Sequence, residues 1–137
     1  MVYITRRENF NAAHRLFNPK WSDEKNEQVF GRCANSNYHG HNFHLWVTVK
    51  GQPDPETGFV IDLKYLGDVL KRSIVDRVDH KNLNLDVDFL KNQLPSIENI
   101  VIAFWKIIKL ELSDLPCELH KIKLVETENN FVEYFGE

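Results

Sequence analysis

The feature that most limits this chain's fold is the stretch from His39 to Gly51, HGHNFHLWVTVKG, where side-chain character alternates residue by residue. Phe43, Leu45, Val47 and Val49 fall on one side of an extended strand and Trp46, Thr48 and Lys50 on the other. A strand with one apolar and one polar face belongs in a sheet that is covered on one side only, as antiparallel sheets commonly are. Val2 to Arg15 repeats the pattern, with Val2, Ile4, Phe10 and Ala12 at alternate positions, weakly interrupted by Arg6 and Glu8, and with His14 continuing the same parity.

The covering layer is readable further along. Leu63, Leu66, Leu70, Ile74 and Val78 recur every three to four residues behind Asp62, an N-cap candidate. Ile97, Ile100, Val101, Phe104, Trp105 and Ile108 form a second helical stripe behind Ser96, with Glu98 in its first turn. The C-terminal HKIKLVETENNFVEYFGE reads as two short strands around Asn129 and Asn130, residues that tolerate the positive φ of a tight hairpin. Leu16 to Tyr38 has neither period and is long for a connection, a length often found with function. The order strand, strand, helix, helix, strand, strand predicts an α+β fold: a four-stranded antiparallel sheet with two helices on one face.

A length of 137 residues fits one domain, residues 1–137, with its own core. The net charge of -3 gives no electrostatic reason to expect a nucleic acid or an anionic membrane as partner, and points to small molecules or copies of the chain itself. Two cysteines, Cys33 and Cys117, make no disulfide framework. With no apolar run of signal-peptide or membrane-span length, the expected location is cytoplasmic.

Three of the six histidines lie in CANSNYHGHNFH, Cys33 to His44. His39 and His41 share a strand parity and can hold one ion together; His14 supplies a third imidazole, completing the His₃ set of an open zinc site. His44 has the opposite parity and reads as a surface or supporting residue, as does His120. The alternative is a structural zinc site with Cys33 as fourth ligand. If the thiol is free, Cys33 with the Asp79–His80 pair supplies the parts of an activated base: a thiol, an imidazole to take its proton and a carboxylate to orient that imidazole. Glu126 shares parity with Ile122 and Leu124, which puts a carboxylate on a buried face where it needs a partner, either a cation in a salt bridge or a bound ligand.

FNAAHRL, FGRC followed by HGHN, DHKNLN, ENI and ETENNFVEYFGE, in this order along essentially the whole chain, resemble the 6-pyruvoyl-tetrahydropterin synthase family. The resemblance implies the tunnelling fold, three subunits closing a barrel and two trimers stacked as a homohexamer. It implies zinc on His14, His39 and His41, catalysis by Cys33 as general base with Asp79 and His80 as relay, and Glu126 as the anchor of the pterin ring. It further implies a lyase that converts 7,8-dihydroneopterin triphosphate to 6-pyruvoyl-tetrahydropterin in tetrahydrobiopterin synthesis, with Mg²⁺ a candidate companion of the triphosphate. Two departures stand out. Animal members usually read CNNPNGHGH where this chain has CANSNYHGH, and TTEN where it has SIEN, so Ser96 is left as the hydroxyl able to contact substrate and Ile97 has none. The gap of five residues between Cys33 and His39 and the YFGE ending favour the biopterin branch over the 6-carboxy-tetrahydropterin synthases, the alternative product class. A non-catalytic zinc-binding assembly domain is the alternative outside enzymes.

Overall fold

The computed structural model describes residues 1–137. Strands β1 (Val2–His14) and β2 (His39–Gly51) pair antiparallel along their whole length, from Val2 opposite Gly51 to His14 opposite His39. A fourth strand in sequence, β4 (Glu118–Val125), lies antiparallel on the far side of β2, and β5 (Phe131–Tyr134) closes the hairpin beside it. The sheet has five strands rather than four. The extra strand, β3 (Lys81–Asn82), runs parallel to β1 against Ala12 and Ala13, so the order is β3-β1-β2-β4-β5 and the sheet is mixed.

The alternation has the expected consequence. Phe10, Ala12, Phe43, Leu45, Val47, Val49, Leu119, Ile122 and Leu124 all face inward into one apolar cluster. Arg6, which interrupts the pattern, lies over Gly67, where a Cβ would come within 2.8 Å of its guanidinium, and its Nε donates to Glu8 at 2.8 Å. Glycine at 67 therefore gives a charged side chain room among apolar neighbours.

Two helices cover this face. The first, α2, begins at Leu63–Leu70 behind Asp62, whose carboxylate accepts from the Lys64 N–H at 2.8 Å. It continues through a π-turn at Lys71–Val75 to a last turn at Asp76–Val78. The second, α3 (Ile97–Glu111), is capped by Ser96, whose Oγ accepts from the Asn99 N–H at 3.3 Å. Burying one Leu, Ile or Phe side chain contributes about 1.5–3 kcal/mol, so the shared core of sheet and helices dominates stability.

A further short helix, α1 (Asp23–Phe30), occupies the connection that shows no period in sequence. Its only buried residue is Asn26, whose amide donates to the Asn18 and Ser22 carbonyls and accepts from the Asn18 N–H. The β4–β5 loop also departs from expectation, since neither Asn129 nor Asn130 adopts positive φ. Thr127 Oγ accepts from both of their N–H groups, at 3.3 and 3.2 Å, and closes the loop without a left-handed residue.

Candidate metal centre

His14 ends β1 and His39 begins β2, so the strand register places the two opposite each other, with His41 two residues along the same face. Their ring centres lie 4.6 Å (His14–His39), 5.0 Å (His39–His41) and 5.3 Å (His14–His41) apart. Glu126, immediately after β4, joins them: one ligand atom from each of His14, His39, His41 and Glu126 lies within 4.8 Å of all the others.

His14 Nδ1 lies 2.8 Å from the Pro95 carbonyl oxygen, which can only accept, so this nitrogen carries the proton and Nε2 keeps its lone pair. His14 Nε2, His39 Nδ1 and His41 Nε2 are all buried without a hydrogen-bond partner. The Nε2 atoms of His14 and His41 approach Glu126 Oε1 at 3.3 and 2.9 Å without hydrogen-bond alignment, a convergence of donor atoms that a cation between them would stabilise. Burial lowers the His39 pKa, and the neighbouring imidazoles of His14 and His41 lower it further. Burial also lowers that of His41, with Glu126 opposing. Glu126 is held below the usual carboxylate range, first by His14, against its own burial. Neutral imidazoles beside an ionised carboxylate are the protonation states that bind a metal. Three buried imidazole nitrogens left without protein partners fit Zn²⁺ in donor type and, as a three-histidine set, leave a coordination position open, as catalytic zinc sites do.

Cys33 lies in a 3₁₀ turn, Gly31–Ala34, tied back by its carbonyl, which accepts from the Leu16 N–H at 2.7 Å. Its thiol is free and lies outside the group formed by His14, His39, His41 and Glu126. The arrangement therefore does not support Cys33 as the fourth ligand. Glu126 has a second exposure: with Ile97, Glu98, Asn129 and Asn130 it lines a cavity of about 370 Å³. Glu98 carried no functional reading in the sequence beyond helix charge. Ser96 accepts the cap bond described above through one lone pair and keeps its O–H as a donor, while Ile97 lines the cavity.

Asp79 and His80 lie elsewhere. Asp79 Oδ1 accepts from the Asn11 N–H at 2.8 Å, and His80 N–H donates to the Asn11 carbonyl at 2.6 Å. His80 has φ +58°, and its Nδ1 lies 2.9 Å from Asp79 Oδ2. Asp79, beside the β1 edge, lines a cavity with Asn9, Asn11, Asn42 and His44, the four strand residues having the parity opposite to that of Phe10 and Phe43. The Asn11 N–H is the main cause of a lowered Asp79 pKa. No hydrogen bond joins this pair to Cys33, and the His80 side chain is 81% exposed. His44 faces the same outer side, with Nδ1 2.8 Å from Asn9 Oδ1, and His120 packs between Tyr3 and Phe135, so neither joins the cluster. No helix is long and apolar enough to cross a membrane.

The family profile of 6-pyruvoyl tetrahydropterin synthase matches residues 3–137. The 6-pyruvoyl tetrahydrobiopterin synthase of Dictyostelium discoideum is 42% identical over 136 residues, covering 99% of this chain and 97% of its own length. That of Homo sapiens is 41% identical over 135 residues, covering 98% of this chain and 91% of its own. The solved structure of the Caenorhabditis elegans 6-pyruvoyl tetrahydropterin synthase superposes with a TM-score of 0.91 at 40% identity, covering 99% of this chain and 96% of that one. With likeness running over essentially the whole chain in both sequence and fold, this chain is an enzyme that belongs to the 6-pyruvoyl tetrahydropterin synthase family.

Proposed function

We propose that the chain, as a single domain over residues 1–137, is a carbon–oxygen lyase of tetrahydrobiopterin synthesis. It would convert 7,8-dihydroneopterin triphosphate to 6-pyruvoyl-tetrahydropterin and triphosphate, with zinc held by His14, His39 and His41. The observation that carries this reading is the trio of buried, unpartnered imidazole nitrogens beside a cavity that Glu126 also lines. When bound, zinc supplies a Lewis acid that makes a side-chain hydroxyl more acidic and holds the negative charge developing beside it. The protein's own groups do the rest. Glu126 accepts N–H bonds from the guanidine-like edge of the pterin and fixes the ring. Cys33 takes the proton from the side-chain carbon.

His80 and Asp79 manage the protons that Cys33 receives. The pair is tied to the Asn11 backbone at the β1 edge and no hydrogen bond joins it to Cys33, so a relay to the thiol calls for a pair brought by a neighbouring subunit. A homohexamer, a dimer of trimers, provides this. β3 and the Asp79–His80 pair cover only Asn11 to Ala13, which leaves β1 before Asn11 an open edge, and β5 is another, so ring closure pairs edges that a lone protomer exposes. We place the enzyme in the cytoplasm, and Mg²⁺ accompanies the triphosphate rather than the protein.

Cys33→Ala tests the assignment. It is expected to keep zinc and bind the pterin near normally while losing on the order of 10²–10⁴ in single-turnover rate. Loss of zinc together with activity would make the sulfur a ligand and overturn the scheme. Mass analysis of the product distinguishes the pyruvoyl from the 6-carboxy outcome.

A further inference from the structure

His14 is the one fully buried imidazole of the three, 2% exposed, and its main chain is held firmly. β1 pairs it with His39, and the next residue, Arg15, is gripped by Asn84, which accepts from its N–H at 2.9 Å and donates to its carbonyl at 3.0 Å. The rotation of the ring is then settled by a single bond, from Nδ1 to the Pro95 carbonyl at 2.8 Å. Whatever aims that carbonyl aims the ring.

Pro95 cannot do so unaided: its ring fixes φ near about −65°, but its carbonyl still turns with ψ, and it has no N–H to tie down. No main-chain N–H donates to the Pro95 carbonyl. In a regular helix the N–H four residues on, that of Asn99, would bond to it, but here this N–H donates to Ser96 Oγ at 3.3 Å. The carbonyl is thereby left for His14. The Asn99 side chain reaches back further still, its Nδ2 donating to the Leu94 carbonyl at 2.8 Å. A carbonyl oxygen only accepts, which fixes the orientation of the amide. One residue thus holds the chain on both sides of Pro95, by its main chain at Ser96 and by its side chain at Leu94.

We propose that Asn99 is a positioning residue of the metal centre: it sets the Leu94–Ser96 segment so that the Pro95 carbonyl keeps the His14 proton on Nδ1 and Nε2 stays free as a ligand. The proposal rests on the reading above that the histidines hold zinc. Without the amide, nothing but its neighbours in the chain holds the Leu94 carbonyl, and the Pro95 carbonyl can turn from the ring. The His14 proton can then move to Nε2, where Glu126 Oε1 lies 3.3 Å away to accept a bond from it. In that tautomer Nε2 has no lone pair for a metal.

The test combines zinc affinity, by chelator competition, with the His14 tautomer, read by ¹⁵N NMR on the metal-free protein at about pH 8, where imidazoles are neutral. Wild type is expected to bind zinc and to keep the proton on Nδ1. Asn99→Ala is expected to weaken zinc about tenfold or more and to divide the proton between the two nitrogens. Asn99→Gln, with the same amide on a longer arm, should recover part of both. Asp62→Ala removes the cap of α2, far from this segment in the chain, and should leave zinc within about twofold and the tautomer unchanged, which separates positioning from a general loss of stability. Should Asn99→Ala not fold, Asn99→Asp makes the comparison, being nearly isosteric and suited to the first turn of a helix but unable to donate. Zinc affinity and tautomer both unchanged in a folded variant overturn the proposal. So does either one changing without the other, since weaker zinc with the proton still on Nδ1 is a packing effect. A wild type that binds no zinc, with a tautomer that still depends on Asn99, supports the ring-setting role and overturns the zinc reading alone.

Discussion

The same two strands carry a histidine-bearing polar cluster on each face, and the two are finished differently. On the outer face and its β1 edge the side chains pair with one another or with the main chain: His44 with Asn9, Asn11 with Asn42, and Asp79 with the Asn11 N–H. On the inner face, under the helices, His14, His39 and His41 each keep a buried nitrogen with no partner. A buried polar atom without a hydrogen bond costs about 1–3 kcal/mol, so the inner cluster is a local expense that the chain's own atoms do not offset. The outer cluster has no such vacancy in its bonding. Histidine content alone is thus uninformative; what separates a candidate ligand from a structural imidazole is whether its second nitrogen has been spent.

The largest effect should come from the apolar layer between the two clusters. Phe43→Ala removes a fully buried ring stacked on Phe10 at 4.8 Å and is expected to cost about 3–5 kcal/mol in denaturant unfolding. Trp46→Ala, on the outer face and 38% exposed, should cost about 1 kcal/mol or less; equal losses would mean that the faces are not distinguished by packing. Next comes metal affinity. His41→Ala should weaken zinc by roughly 100-fold or more in chelator competition, and His44→Ala by no more than about twofold. Comparable loss in a folded His44→Ala would erase the distinction between the faces.

The smallest effect sharpens the outer cluster. The lowered Asp79 pKa, due first to the Asn11 N–H, means that its contribution to stability is fully present above the ordinary value of 3.8 and is lost as pH falls through the lower folded value. Asp79→Asn should therefore be less stable than wild type near pH 7, by less than about 1 kcal/mol after solvent screening, and the gap should close below pH 3.8. A gap that persists in acid would assign the effect to packing.

Much of this was legible in the chain because burial enforces period. The alternation of Phe43 to Val49 and the caps at Asp62 and Ser96 followed directly, as did the shared face of His14, His39 and His41. α1 was not legible because its helix buries no apolar stripe; Ser22, which accepts from the Lys25 N–H, followed by Asp23 and Glu24, was its only signal. β3 is two residues, Lys81 and Asn82, whose pairing depends on where α2 delivers the chain rather than on any pattern of their own. For the same reason Asp79 and His80 could be singled out by type but not placed on a face. Glu126 was recognisable as a carboxylate needing a partner, while its approach to two imidazoles required the register of β4 against β2.

Leu66, Leu70, Ile74 and Val78 are spaced by four, and in a regular α-helix each such step overshoots a full turn by about 40°. The π-turn at Lys71–Val75 accommodates this drift by taking one residue more than an α-turn. Chain length at this point is therefore an aiming variable. Deleting one residue within Lys71–Val75 would give a smoother helix, but everything after it would rotate by about 100°, carrying Asp79 and His80 away from the Asn11 backbone that receives them. An irregularity that looks like a defect in one helix is the adjustment by which a remote loop meets its strand.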